Sequence, residues 1–430
     1  MPADRNLRSL LLAVPAGVRR DYAASVVVQW FTLGIGLVLF HLVARRGNVD
    51  GFAYYQISRG AVSTLQPLAM AGLGTGLQRY LPRSGSRAPV LARRGFAVQL
   101  VISTAFALAG IALAGPIGRL FGLGGGRAAV AAIGAALAGN CLATTAVAAL
   151  RGTGQVAYAN AATLAGLALV PLLTFALAAL LAEPIEVFLV LQGAGMAAVA
   201  LAGVAATRRP PGEDRAGAPT LTALVRYGLR RTPGDLALPA LFAFPTFAVA
   251  AALPGAPDAG FVGFATSAVT LICSLFGMLT PVLLPRLSGY FHQPGGGASL
   301  HRGLLALPPV AAGLAAGIAL VIGLPAPALI RGFLGPDFAG AERVLRLALL
   351  AAVPLAVFYA VRPSLDALQE VPVTVGLLVA CLGVEVLLTY SLRLVLSPPA
   401  AAVLALCLAA TVLGVASYLA LTRAMAARSV

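Results

Sequence analysis

Charged side chains inside long apolar segments are the residues of this sequence that could do chemistry. Arg59 lies beside Ser58 and Ser63 within one apolar segment. A charge at the centre of a membrane-spanning helix costs roughly 2.5–3.5 kcal/mol, so such a residue usually faces a cavity or a partner. Arg59 could bind a diphosphate or a sugar acid through bidentate hydrogen bonds. The alternative is an arginine that snorkels to the membrane surface or forms a structural pair.

A second group of charges begins the seventh apolar segment. Arg226, Arg230 and Arg231 precede Asp235 there. Because Arg226 and Arg230 are four residues apart, they share one helical face. The three arginines could form a vestibule for an anionic lipid head group, or they could hold the helix end at an anionic membrane surface. Asp235 is a candidate for ion coupling.

Three further candidate charges lie between residues 362 and 385. Arg362 and Asp366 are four residues apart, a spacing that favours a structural ion pair over ion coupling. Glu385 stands in the middle of its segment without a local partner in the sequence. It could bind a proton, pair with an arginine of another helix, or stay protonated without a role.

Composition excludes several kinds of chemistry. All 30 basic residues are arginine, so no lysine can complete a Walker-type phosphate loop. The four cysteines lie singly and the three histidines are isolated, so the sequence predicts no metal site and no cofactor. The formal net charge is +16, but most arginines lie in short loops between apolar segments. The positive-inside rule explains that distribution without nucleic acid as a partner.

The elements that must position these charges are apolar helices. Apolar residues make up 60% of 430 positions, and the mean hydropathy is +0.93. A bilayer core about 30 Å thick needs roughly 20 apolar residues per helix. We therefore predict an all-α polytopic membrane protein with about twelve transmembrane helices. The predicted spans are 22–44, 52–78, 95–121, 128–150, 157–182, 186–206, 224–253, 259–289, 303–324, 340–369, 371–396 and 400–422.

The arginines and the longest polar segment predict the topology. With the N-terminus in the cytosol, 20 arginines fall on the inner side and eight on the outer side. This favours two cytoplasmic termini in a multi-pass protein of the bacterial inner membrane. The longest polar segment, at 207–220, divides the first six predicted spans from the last six. The predicted parts are a cytosolic lead-in at 1–21, a six-helix bundle at 22–206, a cytosolic linker at 207–220, a second six-helix bundle at 221–424 and a cytosolic tail at 425–430.

Four short motifs carry a resemblance to a known family. They are GFAYY at 51–55, AGLGTGLQRY at 71–80, LGPDFAGA at 334–341 and RPSLDA at 362–367. With them, the chain resembles polysaccharide and oligosaccharide-lipid flippases of the multidrug/oligosaccharidyl-lipid/polysaccharide (MOP) superfamily over essentially its whole length. The resemblance implies a MATE-like, V-shaped pair of six-helix bundles around a central cavity that opens alternately to the two sides.

The resemblance also implies a transporter rather than an enzyme. The leading hypothesis is a flippase for a lipid-linked oligosaccharide or a polysaccharide precursor, as in O-antigen or lipopolysaccharide synthesis. Its partners would be the glycan lipid or another anionic lipid head group, membrane lipids, and a glycan polymerase or glycosyltransferases. The runner-up is a cation-coupled drug or metabolite antiporter of the same superfamily. A membrane-bound polymerase or acyltransferase is disfavoured, because the predicted outer loops are short and lack clustered His, Asp and Glu residues.

Overall fold

The structure is a computed structural model that describes residues 16–121, 123, 126–207, 220–278, 298–368 and 373–426. At some of these positions, including Arg230 and Arg231, the description covers the backbone alone. Within these ranges every regular element is a helix, which confirms the all-α prediction. The apolar segments form helices because a helix satisfies its backbone hydrogen bonds internally, as a chain inside hydrocarbon requires.

The first half of the chain contains eight helices in the described ranges. They are α1 (Ala16–Met70), α2 (Leu73–Tyr80), α3 (Ala88–Ala112), α4 (Ala114–Leu120), α5 (Arg127–Gly152), α6 (Val156–Leu164), α7 (Val170–Leu180) and α8 (Ile185–Ala205). A π-helical turn at Ala165–Leu169 joins α6 to α7. The linker that was predicted at 207–220 lies largely outside the described residues.

The second half contains eight more helices in the described ranges. They are α9 (Leu221–Ala252), α10 (Asp258–Gly277), α11 (Ala298–Gly323), α12 (Ala326–Phe333), α13 (Ala341–Leu349), α14 (Ala352–Leu368), α15 (Val373–Leu392) and α16 (Pro398–Ala426). The predicted cytosolic tail at 425–430 is described only as far as residue 426.

The lengths of these helices fit a multi-pass membrane protein. In the described ranges ten helices are long and apolar enough to cross a membrane, and the pair α13 and α14, bent by 40°, adds an eleventh candidate span. One of the ten, Arg20–Met70, has 51 residues and covers both the first and the second predicted spans. Non-helical backbone at Asn48 divides it. Two spans in this segment bring the total to the predicted twelve.

Residues of the described chain group into two compact units. The first comprises Arg20–Ala243 and Ala250–Gly260, and the second includes Phe244–Val249 and Phe261–Val430. The division therefore falls inside α9 and not at the polar linker. The arrangement of six spans and six spans in two bundles stays a prediction.

Small residues bring the helices of the first unit into close contact. Gly139 of α5 faces Gly193 of α8, and a Cβ atom at either position would overlap the backbone of the opposite helix. Gly72, between α1 and α2, has a φ of 68° and packs in the same way against Gly228 of α9. In hydrocarbon, such contacts give helices the van der Waals packing that the hydrophobic effect cannot supply there.

The second unit has an apolar core at one end of its helices. Leu304 of α11, Val361 and Leu365 of α14, and Leu421 of α16 are each about 1% exposed and pack together. Gly414 of α16 lies directly against the backbone of α14 at Pro354. This packing places α15, which follows α14 and pairs with α16, in a defined position.

We expect Gly139→Ala to destabilise the first unit by about 1–3 kcal/mol, because the added methyl group forces α5 and α8 apart. Thermal unfolding of the purified protein in detergent measures this effect. Gly36→Ala is the matched control, since no atom outside its own helix lies within 4 Å of the position that its Cβ would take. Equal melting temperatures for the two variants would contradict the close approach of α5 and α8.

Candidate functional site

Arg59 lies in the second part of α1 and is exposed. Its guanidinium carbon lies 4.9 Å from the centre of the Phe40 ring, which belongs to the first part of the same helix. Phe40 in turn contacts Phe52 and Tyr55 edge to face, with ring centres 6.3 Å and 5.9 Å away. A cation over an aromatic face is attracted by the ring quadrupole. The aromatic cluster therefore holds the guanidinium in one place.

The helical face that carries Arg59 continues with polar residues. Ser63 and Gln66 follow at four and seven residues, so all three lie on one side of α1. The Gln66 Nε2 donates a hydrogen bond to the Thr144 Oγ1 of α5 at 3.0 Å, and the Thr144 hydroxyl donates to the Asn140 Oδ1 at 3.3 Å. We call these five residues the Arg59 face. They form a polar surface that is shared by α1 and α5.

A second polar contact in the same unit joins α1 to α6. The Ser25 Oγ donates a hydrogen bond to the Asn160 Oδ1 at 3.0 Å. Asn160 is 6% exposed and precedes the π-helical turn Ala165–Leu169. Such turns are often found at functional sites.

Ser63 was predicted to accompany Arg59, but the other polar partners were not predicted. Gln66, seven residues after Arg59 and three after Ser63, had a spacing that places it on the same helical face. Asn140 and Asn160 carried no such signal, because a single amide in an apolar helix becomes informative only when its neighbour on another helix is known.

Glu385 of α15 lies in the interior of the second unit with none of its surface exposed. Within the described part of the chain, neither carboxyl oxygen has a hydrogen-bond partner, and the same holds for the hydroxyl of the buried Thr389 one turn further on. Cys381 of α15 and Cys407 of α16 lie near enough to the carboxyl group to interact with it electrostatically. We call these four residues the Glu385 site.

The surroundings of Glu385 restrict its chemical state. An ionised carboxylate without a partner in an apolar interior costs several kcal/mol. The carboxyl group therefore carries a proton in this arrangement, or it holds a cation with the neighbouring hydroxyl. Among the described residues no group of three or more His, Cys, Asp or Glu side chains could hold a metal ion. The Glu385 site thus offers one carboxyl group, which suits a proton or a monovalent cation.

The structure brings Arg362 and Asp366 together and adds a third residue. The Arg362 Nε lies 3.6 Å from the Asp366 Oδ2. The Thr374 hydroxyl of α15 donates a hydrogen bond to the Asp366 Oδ1 at 2.7 Å. The three side chains therefore connect α14 to α15 across residues 369–372. This geometry suits a structural connection between two helices.

The arginines at the start of α9 are only partly described. Arg226 is exposed and lines an open cavity of about 620 Å³ together with Leu221, Val225 and Leu229. The side chains of Arg230 and Arg231 lie outside the described residues. Asp235, two turns beyond Arg226 on the same helix, is half-buried. The vestibule that the three arginines were predicted to form stays a prediction.

The chain resembles known proteins in its structure and not in its sequence. No family model and no curated protein matches this sequence. Among solved structures, an inward-facing multidrug resistance MATE transporter of the MOP superfamily superposes with a TM-score of 0.72 at 15% identity, covering 94% of this chain and 98% of that one. The protein has the fold of these transporters. The predicted MATE-like architecture is thereby confirmed.

Two further structures extend the comparison. An outward-facing MATE transporter of the MOP superfamily has a TM-score of 0.63 at 14% identity and covers 95% of this chain and 96% of that one. A MOP superfamily transporter from Pyrococcus furiosus, described by the reverse polarity of its binding pocket, has a TM-score of 0.61 at 15% identity, with coverages of 95% and 94%. These matches show that the fold is shared with transporters of this architecture, and the polysaccharide branch is not shown.

We expect Asp366→Ala to lower stability by about 1–3 kcal/mol, because it leaves a partly buried arginine without its carboxylate. Glu342→Ala is the matched control, since it removes the carboxylate of another Arg pair with the same spacing. The Arg346–Glu342 side chains are 48% and 30% exposed, against 21% and 19% for Arg362–Asp366. The control is expected to cost below about 1 kcal/mol. Thermal unfolding in detergent measures the stability of both variants. Equal losses of stability would contradict the structural role of the Arg362–Asp366 pair.

Proposed function

We propose that this protein is a cation-coupled exporter of drugs or metabolites in the bacterial inner membrane, with both termini in the cytoplasm. The fold supports alternating access, because it superposes on structures described as inward-facing and as outward-facing. Both of those proteins are described as multidrug resistance transporters, which favours the antiporter hypothesis over the glycan flippase.

The Glu385 site is the observation that carries this proposal. A secondary exporter needs a group that binds a cation in one conformation and releases it in the other. Glu385 is a fully buried carboxyl group in a spanning helix, and in the described part of the chain no hydrogen bond competes for it. Ionisable residues inside membrane helices frequently belong to ion pathways. Movement of α15 against α16 would expose the carboxyl group to water and release its cation.

We expect Glu385→Gln to fold normally and to lose ion-driven export. Glutamine has nearly the same shape but cannot exchange a proton. Dye transport into proteoliposomes under an imposed proton or sodium gradient is therefore expected to fall by about tenfold or more. Glu342→Gln, at a carboxylate that is 30% exposed, is the control and should transport like the parent protein. Full gradient-driven transport by Glu385→Gln under both gradients would refute the coupling role.

The Arg59 face supports an anionic group on the cargo. A guanidinium binds carboxylates and phosphates in bidentate geometry, and the stacking on Phe40 orients it for that purpose. The same observation favours the second candidate function, the translocation of a lipid-linked oligosaccharide or polysaccharide precursor from the inner to the outer leaflet. In that case the diphosphate would bind at Arg59, the arginines at the start of α9 would receive the head group, and glycosyltransferases or a polymerase would be partners.

We expect Arg59→Gln to reduce export of an anionic dye by about tenfold, the scale of one charge-assisted hydrogen bond, and to leave export of a neutral dye unchanged. Arg93→Gln, an exposed arginine of the same unit, is the matched control. Equal effects on both dyes would contradict charge recognition by Arg59. Accumulation of lipid-linked glycan in a deletion strain with normal dye efflux would favour the second candidate over the exporter.

A further inference from the structure

A pocket of about 490 Å³ opens at one end of the first unit, and none of its lining residues belongs to the Arg59 face. Two chain reversals form its walls. One is the break in α1 around Asn48, and the other is the turn from α7 to α8. The pocket has the size typical of small-molecule sites. We call it the rim pocket.

The floor of the rim pocket is aromatic and its mouth is charged. Phe175 and Phe188 are almost fully buried and meet edge to face, with ring centres 5.4 Å apart. Arg46, Glu183 and Glu186 line the same pocket. Within the described part of the chain, no ion pair joins Arg46 to Glu183 or to Glu186. Opposite charges that share one pocket without pairing are available to a ligand.

The backbone around the rim pocket is strained on both sides. Asn48 has a φ of 51° and a ψ of −165°, a backbone conformation that residues other than glycine rarely adopt. Ala182, which lines the pocket, has a φ of 57°. Small residues leave the space open, since a Cβ atom at Gly51 would lie 3.1 Å from the Ile185 Cδ1.

The depth of the rim pocket narrows the class of ligand. The break at Asn48 and the turn at 181–184 lie at the ends of spanning helices, which places them at the level of the lipid head groups. A ligand that suits this site at the level of the head groups has an anion for Arg46, a cation for the two carboxylates and a tail that lies in the bilayer.

We infer that the rim pocket binds the zwitterionic head group of an ethanolamine phospholipid. Its phosphate would accept hydrogen bonds from the Arg46 guanidinium, and its ammonium would donate to Glu186 and Glu183 above the aromatic floor. The acyl chains would extend from the pocket into the bilayer. This inference concerns lipid binding and does not rest on the proposed transport function.

Native mass spectrometry of the full-length protein tests the inference, with phosphatidylethanolamine and phosphatidylglycerol as lipid probes. The parent protein should retain phosphatidylethanolamine about tenfold better, since phosphatidylglycerol lacks the ammonium. Glu186→Gln should remove that preference, whereas Arg46→Ala should lower the retention of both lipids because the phosphate contact is lost. Arg45→Ala and Asp50→Asn are controls, because both residues are exposed neighbours outside the pocket lining.

The outcomes are decisive in both directions. Loss of the preference in Glu186→Gln with the controls unchanged supports the assignment. Equal retention of the two lipids by the parent protein overturns it, as does an unchanged preference in both pocket variants. Competition by soluble phosphoethanolamine without binding of the lipid would assign the pocket to a small zwitterion and overturn the lipid source. Transport assays with the same variants separate this result from the exporter proposal, because lipid retention is measured without any gradient.

Discussion

The cost of placing a polar or charged group in hydrocarbon is the constraint on which the rest of this structure depends. It forces the backbone into helices, whose hydrogen bonds are internal, and it forces each polar side chain in a span to find a partner or a cavity. The Gln66, Thr144 and Asn140 side chains satisfy one another across two helices. Asp366 is satisfied by Arg362 and Thr374. Among the described charged residues inside spans, Glu385 departs from this rule, because its buried carboxyl group has no hydrogen-bond partner there.

Close helix packing makes these polar contacts possible. Where Gly139 meets Gly193, the backbones of α5 and α8 come as near as two helices can. Such contacts fix the rotation of α5, and with it the direction in which Asn140 and Thr144 point. The same relation holds in the second unit, where Gly414 against Pro354 positions α16 beside Glu385 of α15. Small residues thus decide which polar groups can meet, although they carry no chemistry themselves.

The two polar sites differ in the interaction that each can offer. The Arg59 face combines a guanidinium with hydroxyl and amide groups and remains accessible, which suits recognition of a cargo. The Glu385 site is buried and holds a single carboxyl group, which suits storage of a cation. The proposed exporter would require both properties, and their location in different units would link cation release and cargo release through a change of conformation.

The sequence by itself determined the class of protein, the number and approximate bounds of the spans, and the charges that must be explained. It did so because hydrophobic length and charge are local properties of the chain. The pairing of Arg362 with Asp366 was also readable, since both lie on one turn of one helix. The partners of Gln66 and Ser25, the isolation of Glu385 and the rim pocket were decided by tertiary structure alone. Each depends on which faces of distant helices meet, and a uniform apolar sequence leaves that choice open until packing settles it.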